Sequence, residues 1–230
     1  MTIRWFTLLI VVVLSQMALA AQKDPEPALI VSEQLWVFGM IPQDGRVSHH
    51  YVLTNPHKDT VTITKIDSDC DCTRVPKGPV AIPPGKTYLL PVIFDTRTYF
   101  GQTNRDINLA TDYAPNPELT IYFTSFTSRL PGSITISPPS TAFIRGKDMQ
   151  AFTITNVTDE KTEFTIFVDH DSSLTVSPTS FTLRGKQRQE INVSPIWDRF
   201  PTGENFRCLV VEAARKERFR VSIPVKINKF

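Results

Sequence analysis

The sequence is short of the residues and motifs that catalysis and nucleic-acid binding usually draw on. Only four histidines and three cysteines occur in 230 residues. No His-x-x-x-His pair with a flanking Glu marks a zinc site, so His49, His50, His57 and His170 read as strand and turn residues, exposed or half-buried. There is no Gly-x-Ser-x-Gly elbow, phosphate loop or dinucleotide fingerprint. Charge of one sign is also missing: 25 Lys+Arg face 23 Asp+Glu. A chain this close to neutral has no electrostatic reason to seek nucleic acid or an anionic membrane. The odd cysteine count leaves at least one thiol unpaired in any oxidised monomer.

The N-terminus is different. Arg4 supplies a positive start, Trp5 to Leu14 is apolar apart from Thr7, and Ala18-Leu19-Ala20 has the small-x-small form that signal peptidase reads. Residues 1–20 are therefore expected to be a signal peptide and the mature chain to begin at Ala21, in the periplasm or outside the cell. The run is short for a membrane span, which needs about 20 residues. Retention as an uncleaved anchor is the alternative, and no stable membrane insertion is expected once the signal is cleaved.

Period-two alternation dominates the rest of the chain. Val47, His49, Tyr51 and Leu53 alternate with Ser48, His50, Val52 and Thr54, and Leu119, Ile121 and Phe123 repeat the pattern. Such alternation, rich in β-branched and aromatic residues, specifies half-buried antiparallel strands. Turn formers separate them at Asn55-Pro56, Pro83-Pro84-Gly85, Arg184-Gly185 and Pro201-Thr202-Gly203. Only Val210 to Arg218 resembles a helix. Because Phe219 to Ile223 resumes alternation at once, it is read as two strand ends meeting at a charged hairpin.

The two halves resemble each other. Asn55 corresponds to Asn156, Gly85 to Gly185 and Gly101 to Gly203, at offsets of 101, 100 and 102. Such constancy indicates a duplicated module: an all-β chain of two tandem immunoglobulin-like antiparallel β-sandwich domains, residues 21–130 and 131–230, linked near Ser128 to Gly132.

Trp36-Val37-Phe38-Gly39, Val47-Ser48-His49, Leu53-Thr54-Asn55, Asp69-Cys70-Asp71-Cys72-Thr73, Ile82-Pro83-Pro84-Gly85 and Val92-Ile93-Phe94-Asp95 run in an order that resembles the bacterial family known as domain of unknown function 1573. The resemblance spans about residues 35 to 126. It implies a fold similar to PapD-like, major-sperm-protein-like and ASPM-SPD-2-Hydin modules, which mostly bind other proteins, and it carries no catalytic residue. Asp71 stands where the family usually has Gly.

Cys70 and Cys72 remain open to several roles. On a strand their Cα atoms lie about 6.6 Å apart, long for a disulfide unless the segment turns. As thiolates they can hold a soft ion such as Cu(I), with His49 as a further ligand if its strand neighbours theirs; as neutral groups they fill a core. Asp67, Asp69 and Asp71 make the surroundings acidic and disfavour a nucleophilic thiolate. The same acids open like a calcium loop, but Cys72 and Gly78 occupy positions six and twelve. Asp169-His170-Asp171 is read as a solvated turn. The cations Arg184, Lys186, Arg188, Arg215, Lys216, Arg218 and Arg220 read either as a basic patch on the second module or, equally well, as charged turns and a protected edge strand.

The leading functional expectation is a non-catalytic, exported protein-interaction or structural module without a cofactor. Its partners are other proteins, bound by strand addition or by loops. The alternatives are a periplasmic chaperone, lending a strand through Leu119, Ile121 and Phe123, and thiol redox or copper binding at Cys70 and Cys72.

Overall fold

Alternating burial is what the structure, a computed structural model describing residues 26–128, 132–214 and 218–230, shows along nearly every long strand. The signal peptide and most of the linker expected from sequence lie outside the described residues. In Glu118–Thr127, Ile121, Phe123, Ser125 and Thr127 are buried, whereas Tyr122 and Phe126 are exposed. One face of that strand thus builds the core and the other meets solvent.

The chain forms two stacked-sheet sandwiches. In the first, a four-stranded sheet (Ile30–Val31, Arg46–Thr54, Thr87–Asp95, Thr73–Arg74, in spatial order) covers a layer ordered Leu35–Ile41, Glu118–Thr127, Gly101–Thr111, Val61–Ser68, Val80–Ile82. In the second, the sheet Ile134–Ser137, Gln150–Asn156, Arg188–Pro195, Leu174–Ser177 covers Ser180–Leu183, Thr162–Phe167, Gly203–Ala214 and Arg218–Lys229. The helix-like stretch after Val210 is the expected hairpin: Ala214 pairs with Arg218, and residues 215–217 lie outside the described residues. Among the described residues the only helical piece is the short 3-10 turn Trp197–Arg199, and no helix is long and apolar enough to cross a membrane.

Each sandwich has its own core. Phe38, Phe94 and Phe123 meet in the first, with ring centroids 5.4 Å apart for Phe38 and Phe123 and 5.1 Å for Phe94 and Phe123. Phe143, Phe152, Phe164 and Ile191 anchor the second. Interdigitated aromatic and β-branched side chains of this kind give interiors their crystal-like density.

The duplication is visible atom by atom. Asn55 Nδ2 donates to the carbonyls of Asp59 and Ile82, both at 2.8 Å, while its Oδ1 accepts from His57 N. Asn156 Nδ2 donates to the carbonyls of Glu160 and Leu183, and its Oδ1 accepts from Thr158 N. The two asparagines are 101 positions apart (156 − 55), and so are their partners. Register corrects one sequence equivalence. Gly85 N bonds Asn55 O and Lys186 N bonds Asn156 O, so Gly85 matches Lys186, not Gly185. Both sit at positive φ, 65° and 63°, a conformation disfavoured for a residue with a Cβ.

The sandwiches do not hang as separate beads. Their larger layers fuse into one ten-stranded sheet where Arg218–Lys229 runs parallel to Leu35–Ile41, through Val221 and Met40. Gly39, at φ 70°, makes this possible: a Cβ there would stand 2.2 Å from the Arg220 carbonyl oxygen. Strand Gly203–Ala214 serves both cores, with Leu209, Val211 and Ala213 packing into the second and Cys208 and Val210 against the first.

Candidate functional site at the domain junction

Strand Arg46–Thr54 explains where the polar chemistry collects. Alternation predicted one buried face, yet Ser48, His49, His50 and Tyr51 are all buried. The second sandwich covers the face that the first leaves open. Ser48 Oγ donates to Phe206 O at 2.7 Å, and Cys208 Sγ donates back to Ser48 O at 3.1 Å. Ser222 Oγ donates to Phe38 O at 2.8 Å.

Asp169 completes the junction. It lies between Thr162–Phe167 and Leu174–Ser177 with its side chain only 4% exposed. Its carboxylate accepts from His50 N at 3.1 Å and His50 Nδ1 at 2.6 Å, and sits 3.2 Å from His49 Nδ1. The loop that carries it is pinned inside its own sandwich. Asp171 accepts from Arg207 Nε at 2.6 Å and from Ser173, while Arg199 donates to the carbonyls of Asp171 and Ser172. The sequence reading of Asp169-His170-Asp171 as a solvated turn is therefore corrected. The turn exists, but its two carboxylates point into protein.

On the other side of His49, Glu33 Oε1 lies 2.7 Å from His49 Nε2 and 3.1 Å from His170 Nε2. The Trp36 indole stacks on the His49 ring at 3.8 Å between centroids. These contacts set the local electrostatics. Burial alone would raise the Asp169 carboxyl, but the close His49 imidazole and the hydrogen bonds from His50 hold it well below the usual carboxylate range. Burial would lower His49, yet Asp169 and Glu33 outweigh it and raise the imidazole above its ordinary value. The bond from His49 lowers Glu33. Burial pushes the Tyr51 phenol and the Cys208 thiol far up, leaving neither able to ionise near neutrality.

An open groove of about 570 Å³ adjoins this cluster, lined by Glu33, Leu35, Trp36, Val37, Gly39, Glu212, Arg218, Phe219 and Arg220. Arg220 pairs with Glu212, donates to Val37 O at 2.8 Å and lies over the Trp36 ring. One member of the expected charged edge is thus an interdomain tie, whereas Arg215 and Lys216 lie outside the described residues.

The cysteines lie elsewhere, and His49 does not join them. Cys70 and Cys72 form a disulfide with Cα atoms 5.2 Å apart. The segment turns, as Thr73 N bonding Cys70 O shows, and so meets the one condition under which sequence allowed the bond. Strand Thr87–Asp95 stands between Arg46–Thr54 and Thr73–Arg74, which separates His49 from the pair. A disulfide presents no thiolate, so the expected grouping of Cys70, Cys72 and His49 as metal ligands is not assembled. The acidic surroundings are offset by Arg105, whose Nε approaches Cys72 Sγ at 3.4 Å, and the Tyr99 hydroxyl contacts Cys70 Sγ. Cys208 is free and buried.

Glu33 was missed, and Asp169 was read only as a solvated turn residue. One signal was available: adjacent histidines on one strand send imidazoles to both faces, which costs free energy unless both faces find partners.

Residues 29–126 match the family model described as protein of unknown function (DUF1573). No curated protein matches. Among solved structures the chain is similar to the periplasmic chaperone SfaE at 13% identity and TM-score 0.39, covering 42% of this chain and 57% of that one. It is also similar to a protein of unknown function from Porphyromonas gingivalis W83, at 9% identity and TM-score 0.37, covering 87% and 99%. An MSP family member of C. elegans aligns at 16% identity and TM-score 0.34, covering 44% and 100%. The chain thus spans little more than half the length of the chaperone it matches.

Proposed function

We propose, for a chain whose residues 29–126 match the DUF1573 family model, that the protein is a non-catalytic interaction module working in the periplasm or outside the cell. Its two sandwiches act as one body that presents the junction groove to another protein. The observation that carries this reading is the surface around the groove. Leu35, Val37, Tyr122 and Phe126 are 54%, 38%, 36% and 44% exposed, on paired neighbouring strands of one sheet. Exposed apolar side chains beside Trp36 and Arg220 have the composition of a protein-binding surface.

Loop and groove contact suits this molecule better than strand addition. Every outermost strand of its sheets is two to four residues long, and short edges are poor templates for an added strand. The chaperone alternative meets a physical obstacle. Ile121 and Phe123 are 0% and 1% exposed in the first core, on a strand paired along both sides, and so are not free to be lent. Export is supported by the Cys70–Cys72 bond, since disulfides persist mainly in oxidising compartments.

The test is cross-linking and co-purification from the native envelope, comparing wild type with Leu35→Asp and Phe126→Asp. Both side chains are exposed, so the fold should survive. Loss of a specific partner in both variants is expected, and a partner set unchanged by either overturns the reading.

A further inference from the structure

We propose that Glu33, His49 and His170 form a zinc site that staples the two sandwiches together. The inference stands apart from the partner reading and rests on convergence. Glu33 Oε1 is 2.7 Å from His49 Nε2 and 3.1 Å from His170 Nε2, and the three candidate ligand atoms all lie within 4.8 Å of one another. Zn–N and Zn–O bonds of about 2.0–2.1 Å place tetrahedral ligands roughly 3.3 Å apart. Two edges of that tetrahedron are therefore nearly in place. The third closes if His170, whose side chain is 42% exposed, swings slightly toward His49.

The surroundings are those of a ligand held in advance. His49 is 1% exposed and stacked on Trp36 with an interplanar angle of 3°, so its ring plane is fixed. Its second nitrogen, Nδ1, lies 3.2 Å from Asp169 Oδ1. A carboxylate behind the distal nitrogen orients a metal-binding imidazole and strengthens it as a ligand. Glu33 and His170 are partly exposed, which leaves the fourth position open to water. Two imidazoles and one carboxylate suit Zn²⁺, whereas Mg²⁺ and Ca²⁺ prefer oxygen. The neighbouring group His50, Asp169 and Asp171 is a poorer site, because Arg207 already occupies the Asp171 carboxylate.

Where the ligands come from gives the site its consequence. Glu33 and His49 belong to the first sandwich and His170 to a loop of the second, so an ion bound by all three favours the docked arrangement over the separated one. A ligand that binds only the folded, docked state raises its stability with concentration.

Isothermal titration of the purified, chelator-stripped full-length protein with zinc chloride near neutral pH tests the proposal. One Zn²⁺ per chain is expected, with a change in Trp36 fluorescence and a midpoint of thermal unfolding that rises with added Zn²⁺. His170→Ala and Glu33→Gln should each weaken binding at least about tenfold, and circular dichroism checks that both remain folded. His57→Ala, which removes a histidine stacked on Tyr113, should bind as wild type does. Failure of wild type to bind at ~100 μM Zn²⁺ overturns the proposal, and so does zinc uptake unchanged in both His170→Ala and Glu33→Gln.

Discussion

Replacing Asp169 with Ala removes one carboxylate and leaves the other side of the junction unanswered. His50 N and His50 Nδ1 lose their acceptor, and His49 loses one of its two anionic neighbours. With the carboxylate 4% exposed, solvent does little to replace it. Deleting one partner of a buried charge pair costs about 3–5 kcal/mol. With a urea m value of about 3 kcal/mol/M for a chain this size, the unfolding midpoint should fall by roughly 1–2 M. Urea titration followed by tryptophan fluorescence, with chelator present so that no cation contributes, measures it. The pH dependence is a second readout. The folded pKa of Asp169 is depressed, so its contribution is present above about pH 4, its unfolded range, and lost as pH falls through the folded value. The folded pKa of His49 is raised, so its contribution is full below about pH 6.5 and lost as pH rises through the folded value. Wild-type stability from this pair should therefore be greatest between about pH 4 and 6.5, and the variant should lose the acid limb. A variant within about 0.5 kcal/mol of wild type, the range of a neutral surface change, with an unchanged pH profile would refute the reasoning.

Three further outcomes are expected. Gly39→Ala should lower stability by at least ~2 kcal/mol, read as a drop in thermal midpoint, because its Cβ collides with the Arg220 carbonyl that joins the two sheets; a neutral result would mean the junction yields freely. Asn55→Ala and Asn156→Ala should each cost about 3 kcal/mol in denaturant unfolding, as each removes three hydrogen bonds between a fully buried side chain and backbone, and unequal losses would argue against equivalent roles. Thiol titration of denatured, unreduced protein should find Cys208 alone, then all three cysteines after reduction. Because the disulfide closes so short a loop, Cys70→Ala/Cys72→Ala should cost only about 1–2 kcal/mol.

The features legible in the sequence are those fixed locally. Period-two alternation gave the strands, and resumed alternation at Phe219 correctly turned a helix-like stretch into a hairpin. Asn55 and Asn156 revealed the duplication because a buried asparagine bonding its own turn has few substitutes. The Gly-Lys equivalence slipped by one because identity drew Gly85 to Gly185, while backbone geometry places Lys186 there. The junction was not legible. Whether Ser48 and His50 face water depends on what covers the sheet, and no periodicity within one module records the docking of another. Asp169 read as a solvated acid for the same reason, since its partners lie 119 and 120 positions away, at His50 (169 − 50) and His49 (169 − 49).

The docking of the two sandwiches into one body is tested most directly by unfolding each while watching the other. Trp36 belongs to the first core and Trp197 to the second, so Trp36→Phe and Trp197→Phe variants each leave one described reporter. Coincident urea transitions for the two reporters, both shifting together when Asp169 is replaced, are the expected result. Two well-separated transitions, with Asp169→Ala altering neither, would contradict a single interlocked structure.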